Sequence, residues 1–254
     1  MKFKFLFLIV LAVQIGYAQS EPLTAEKAAS VNKVIALFKA KNIDEIAKTV
    51  KYPLNREYPV PNIKNENEFK RRFDEVFDET LINLIANSKT TDWDEVGWRG
   101  IMLGSGEVWL DSESGKIKAI NYESAAEANH KEALISYEQE HIHSSLKTFE
   151  SPTYRIETKN YLIRIDYLGE GKYRYASWKA GAGEASKPDL VLKNGVFEAS
   201  GSGGNHAISF KSGNYAYIIH RTVIGHGDEP EVALEVQKDG KAILNQAGTL
   251  IEEF

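Results

Sequence analysis

His141-Ile142-His143 is the place in this chain where metal-ligating side chains fall at a chelating spacing, with His130 and Glu138 close by. On an extended backbone, residues two apart point the same way, so both imidazoles would reach one ion. On a helix they would be turned about 200° apart and could not chelate. The surrounding segment has a weak helical pattern, so a solvated linker is the expectation. No metal is expected, His141 and His143 being the candidates that would have to hold one. His206 and His220 flank the hairpin NHAISFKSGNYAYIIH. A symmetric turn over Lys211–Asn214 sets Phe210 against Tyr215 and sends the two histidines to opposite faces, where they cannot share a ligand. Gly201-Ser202-Gly203-Gly204-Asn205 has the glycines of a phosphate-cradling loop, but no lysine follows and no helix begins there. It reads as a turn between strands whose backbone can approach a partner closely, which makes Ser200, Gly201 and Asn205 partner-contact candidates.

Catalytic sets are missing from the pattern. No serine sits in a nucleophile elbow, no His-Glu-x-x-His is present, and the chain has no cysteine. No catalytic residue and no cofactor are assigned. Two aromatic and arginine groups remain, both suited to binding. In the first, Trp93, Asp94, Trp98, Arg99 and Trp109 surround the start of a sheet, with Phe77 on the preceding helix. Strand parity puts Arg99 with Ile101 and Leu103 on the core or concave face, where a buried guanidinium needs a carboxylate such as Asp94. That is either a structural ion pair or a pocket for an anionic ligand. In the second, Tyr173, Tyr175 and Ser177 share one face of a strand, and Arg174, Ala176 and Trp178 share the other. Those residue types suit an interface centre and the outside of a barrel equally.

The elements that must position these groups divide the chain. Thr24 caps a helix with Val31, Val34, Ile35 and Phe38 on its apolar face, and a shorter helix carries Ile46, Ala47 and Val50. After Pro53, Pro59 and Pro61, one long amphipathic helix is expected from about Glu66, with Phe69, Phe73, Val76, Phe77, Leu81, Leu84 and Ile85 on one side. From Gly97 the period changes to two, and three short strands follow. Residues 22–123 therefore read as an α+β unit with helices on a curled antiparallel sheet. Residues 124–150 read as a connector. Residues 151–254 read as eight short strands separated by glycine-bearing turns, an antiparallel barrel or sandwich.

The first eighteen residues, MKFKFLFLIVLAVQIGYA, carry two lysines, an apolar run and small residues at 16 and 18, the pattern of a cleaved secretory signal. The apolar run is too short as a helix, at about 20 Å, for a bilayer core of about 30 Å. No later segment is long and apolar enough to span, so a periplasmic or secreted protein is expected. Loss of Lys2 and Lys4 takes the formal net charge from −5 to about −7. No basic run offsets it, which argues against a nucleic-acid partner.

The stretch WRGIMLGSGEVWLDSESGKIKAI, preceded by helices and a proline-broken loop, resembles the nuclear transport factor 2-like superfamily. That resemblance implies a cone-shaped pocket in the first unit, a site type that hosts isomerases and dehydratases. The second unit resembles the small antiparallel barrels of periplasmic inhibitor proteins, including membrane-bound C-type lysozyme inhibitors. Ala199-Ser200-Gly201 echoes the Ser-Gly motif of their inhibitory loop. The expected function is an exported binding protein acting on a protein or cell-envelope component, inhibitor-like or immunity-like. The alternative is a small-molecule pocket or enzyme site in the first unit.

Overall fold

The computed structural model describes residues 22–225 and 227–251, so the expected signal segment lies outside the described residues. The fold is mixed α+β with a closed eight-stranded β-barrel at its C-terminal end. Helix α1 spans Ala25–Lys39 and is capped by Thr24 Oγ1, which accepts from the Lys27 amide. It buries Val31, Val34, Ile35 and Phe38. Helix α2, Ile43–Lys48, is capped by Asn42, whose side chain accepts from Glu45. The single long helix expected from Glu66 is three pieces instead: α3 Glu66–Arg71, α4 Phe73–Val76 and α5 Glu79–Asn87. The break has a local cause. Asp78 accepts from the Leu81 amide and starts a new helix, which leaves Phe77 extended and Leu84 exposed. Phe38, Phe69, Phe73 and Phe77 then pack together, with Phe73 and Phe77 stacked at 4.9 Å.

Against these helices lies a four-stranded antiparallel sheet, β1 Trp93–Glu95, β2 Ile101–Leu103, β3 Val108–Leu110 and β4 Ile117–Ile120, in that order. Its inner face is Ile101, Leu103, Val108, Leu110, Ile117 and Ile120, all buried. Strand β1 was not among the expected strands, because Trp93-Asp94-Glu95 is too short to show a period of two.

The expected connector contains α6, Ala125–His141, a regular helix of 17 residues capped by Ser124. It shows little apolar periodicity because its buried positions are the carboxylates Glu127 and Glu138. Glu127 pairs with Arg56, which also donates to the carbonyls of Ile120 (2.7 Å) and Tyr122 (3.0 Å). Glu138 pairs with Arg164 and accepts from the Tyr58 hydroxyl at 3.1 Å. Glu127 and Glu138, eleven residues apart, share one face of the helix, and buried charge is thus matched near both its ends.

The barrel strands are β5 Ser151–Thr158, β6 Tyr161–Tyr167, β7 Tyr173–Lys179, β8 Leu190–Ala199, β9 His206–Ser212, β10 Tyr215–Arg221, β11 Val232–Lys238 and β12 Lys241–Leu250. Each pairs antiparallel with the next, and β12 closes on β5 through Gly248–Leu250 against Thr158–Ile156. Closure leaves the barrel itself without an open sheet edge. Ile156, Ile163, Ile165, Tyr175, Ile208, Phe210, Ile219 and Leu234 fill the interior. Gly195 on β8 makes room for this packing, since a methyl there would overlap the Phe210 ring.

Candidate functional site

The barrel has two unlike ends. At one, tight turns at Gly213-Asn214 and Asp239-Gly240 and the loop 180–189 leave the interior open. At the other, Tyr154, Arg221, Val223 and Glu231 of the barrel face the 53–62 loop of the N-terminal unit across a groove of about 450 Å³.

The open end is the candidate site, a cavity of about 390 Å³. Strand parity builds it. Tyr175 and Ser177 on β7, Tyr161 on β6, Tyr215 and Tyr217 on β10 and Leu234 and Val236 on β11 all point inward. Leu190 and Leu244 complete the wall. A β-bulge in the β11–β12 pairing, between Val236 and Gln237, sets the exposed Ile243 at the rim. Among the described residues Asp189 is the single charged one lining the cavity, and its Oδ2 accepts from the Lys179 amide at 3.0 Å. Lys238, at the end of β11, lays its ammonium 5.5 Å from the Tyr215 ring centroid.

The phenols of Tyr175 and Tyr217 stay neutral through the physiological range. Burial pushes Tyr175 up to about 12, despite a hydrogen bond with Ser177 that works the other way. Burial also raises Tyr217, helped by the neighbouring phenols of Tyr215 and Tyr161. The site is therefore an apolar cup with hydroxyls and ring faces on its wall. What it presents to an occupant is ring faces, hydroxyls, aliphatic walls and the Asp189 carboxylate.

The residues singled out from the sequence are placed differently from one another. Tyr173 and Tyr175 point into the barrel, and Tyr175 is the one that reaches the cavity. Arg174 and Trp178 point outward but are 3% and 1% exposed, covered by the chain's own residues 142–149. The interface they form is intramolecular, so neither is offered to a partner. Arg174 binds Asp166 at 2.5 Å and the Leu146 carbonyl at 2.6 Å, while Trp178 donates to the Ser186 carbonyl at 2.9 Å.

Ser200 and Gly201 are exposed in the loop at the groove end. Asn205 clamps that loop to the next one. Its Oδ1 accepts from the amides of Val223 and Ile224, both at 2.8 Å, and its Nδ2 donates to the Ile224 carbonyl at 2.7 Å.

In the N-terminal unit, Phe77 and Trp93 are core residues, and the Trp93 indole donates to Ser88 Oγ at 3.0 Å. Trp98 is 68% exposed and Arg99 is exposed, because Gly97–Arg99 forms a 3₁₀ turn and the strand begins only at Ile101. The expected burial of Arg99 beside Ile101 and Leu103 is thereby corrected. Asp94 and Trp109 lie half-buried on the outer face of the sheet, and Phe77 and Trp98 share no cavity.

His141 ends α6 with its ring on Tyr137, and His143 bonds Ser145 at 2.9 Å. Among the described residues no group of three or more metal-ligating side chains comes together. His206 pairs with Arg221 in register and bonds Tyr154, whereas His220 bonds Glu235 from the opposite face. The turn is two residues tighter than expected, and the parity is unchanged.

Tyr161, Tyr215 and Tyr217 were not singled out from the sequence. Their signal was present as Tyr-x-Tyr on two separate strands, Tyr173/Tyr175 and Tyr215/Tyr217, which marks one inward face of each. No family model matches the chain, and neither a curated protein nor a solved structure does.

Proposed function

We propose that this protein acts by binding rather than by turnover, and that the open mouth of its barrel receives a small organic molecule or an apolar side chain of a partner. The observation that carries the reading is the convergence of four tyrosines on one cavity with aliphatic walls at the end of a closed barrel. Barrel mouths of eight strands leave room for one small ligand, and apolar cavities with a few hydroxyls are the usual form of such sites. Leu244→Trp at the rim fills the cavity without touching the ion pairs elsewhere. Titration of the full chain with neutral aromatic probes should show saturable binding that this variant abolishes. Binding that is indifferent to Leu244→Trp would place the ligand elsewhere.

A second reading keeps a protein or cell-envelope partner at the opposite end, as an inhibitor would use it. It is favoured by Phe197, Val223 and Ile224, which stay 45%, 55% and 43% exposed beside the Asn205 clamp. Ile224→Asp should then abolish capture of the partner while leaving the barrel mouth unaffected. Either reading sits with export, and a mature protein whose mass begins at Gln19 is the expected product.

A further inference from the structure

The cavity wall has a particular electrostatic character. Its rings carry negative π-faces, and among the described residues its single lining charge is the Asp189 carboxylate, with no arginine, lysine or histidine in the wall. An anion entering it would meet a carboxylate and four electron-rich rings, with Lys238 at the mouth, its ammonium already over the Tyr215 ring, as the cation beside it. A metal ion would meet a single carboxylate, far short of a ligand set. A cation carried on an apolar body meets what it needs, ring faces around it and a carboxylate at the rim.

The molecule already displays that contact once. Lys238 follows Val236 in the inward parity of β11, and its ammonium rests over the Tyr215 ring at the mouth. The tyrosines of the mouth are thus placed where an ammonium reaches them.

Resting on the reading of the mouth as the binding site, we propose that its ligand class is an organic ammonium. The charged nitrogen would sit among Tyr161, Tyr175, Tyr215 and Tyr217, near Asp189, with its alkyl body against Leu234 and Val236. Methylated nitrogens fit best, because the wall is apolar and a methylated ammonium needs no hydrogen-bond acceptors. Entry requires the Lys238 ammonium to leave the Tyr215 face, so Lys238 is a built-in competitor for the site.

The test compares three probes of one shape by calorimetric titration of the full chain: choline, its neutral carbon analogue 3,3-dimethylbutan-1-ol, and 3,3-dimethylbutyrate. Choline should bind roughly tenfold or more tightly than the alcohol, and the carboxylate should bind least. Tyr217→Leu keeps an apolar wall and should weaken choline by about fivefold or more, with the alcohol changed less than about twofold. Lys238→Met, an exposed change that leaves the fold intact, should strengthen choline. Equal binding of choline and the alcohol overturns the ammonium assignment and leaves the mouth as a neutral apolar site. Preference for the carboxylate, lost in Lys238→Met, overturns it in favour of an anion held by Lys238. If none of the three probes binds, the mouth itself is not the site and both proposals fall.

Discussion

Replacing Glu138 by leucine should be among the most damaging single changes in this protein, although the residue lies far from the candidate site. Glu138 and Arg164 are 5% and 0% exposed in their side chains, in a cluster that also holds Asp166, Arg174, Glu184 and Arg155. Three carboxylates face three guanidinium groups, and the Phe149 ring lies against two of the latter. Glu138→Leu leaves the cluster with one excess positive charge, Arg164 keeping Asp166 and Glu184, and removes one acceptor from the Tyr58 hydroxyl. Arginine cannot relieve this by deprotonating, and stranding a buried charge costs about 3–5 kcal/mol. In a chain of this size that is a loss on the order of 10 °C in Tm.

The reverse variant, Arg164→Met, should cost less at low pH. Burial already pushes the Glu138 carboxyl up, so a stranded Glu138 can take a proton. Since its folded pKa lies above its unfolded one, the stability it retains is present at low pH and is lost as pH rises through the folded value. Glu138→Leu combined with Arg164→Met restores balance, Asp166 keeping Arg174 and Glu184 keeping Arg155, and should be more stable than Glu138→Leu alone. Urea unfolding followed by circular dichroism measures all three. A Glu138→Leu loss under about 0.5 kcal/mol, or a double variant worse than both singles together, would refute the account of this cluster.

Other expectations concern single sites. The Asp111 carboxylate accepts from the Ser114 amide (2.9 Å) and hydroxyl (2.8 Å) and from Lys51 (3.1 Å), which holds it well below its ordinary value. Its contribution is therefore present above pH 3.8 and lost as pH falls further. Asp111→Asn should flatten the acid limb of a Tm-against-pH curve. Gly195→Ala should destabilise by roughly 1–3 kcal/mol in urea unfolding, because the added methyl overlaps the Phe210 ring. Asn205→Ala should cost on the order of 1 kcal/mol and speed hydrogen exchange at the Val223 and Ile224 amides, with the barrel strands unchanged.

What could be read from the sequence was set by which forces leave a periodic trace. The barrel strands alternate inward apolar and outward polar residues, so all eight were legible, as was the apolar face of α1. Helix α6 was not, because the positions it buries are glutamates whose partners, Arg56 and Arg164, lie far away in the chain. Trp98 and Arg99 misled for a related reason. The Gly97–Arg99 turn, with Gly100 at φ 110°, interrupts what looked like continuous alternation. Arg174 and Trp178 were placed on the correct face of β7, but the segment that covers them is separated from it by more than twenty residues. The mouth was half visible, since Tyr-x-Tyr marks an inward face and only barrel closure brings two such faces together.

The central claim is that the tyrosine-lined mouth is where this protein binds. It is tested most directly by soaking crystals of the full chain in a mixture of cationic, neutral and anionic small organic probes. Ordered density among Tyr161, Tyr175, Tyr215 and Tyr217, lost in Leu244→Trp, is the result expected. Density confined to the groove lined by Tyr154, Arg221, Val223 and Glu231, with an empty mouth, would contradict it.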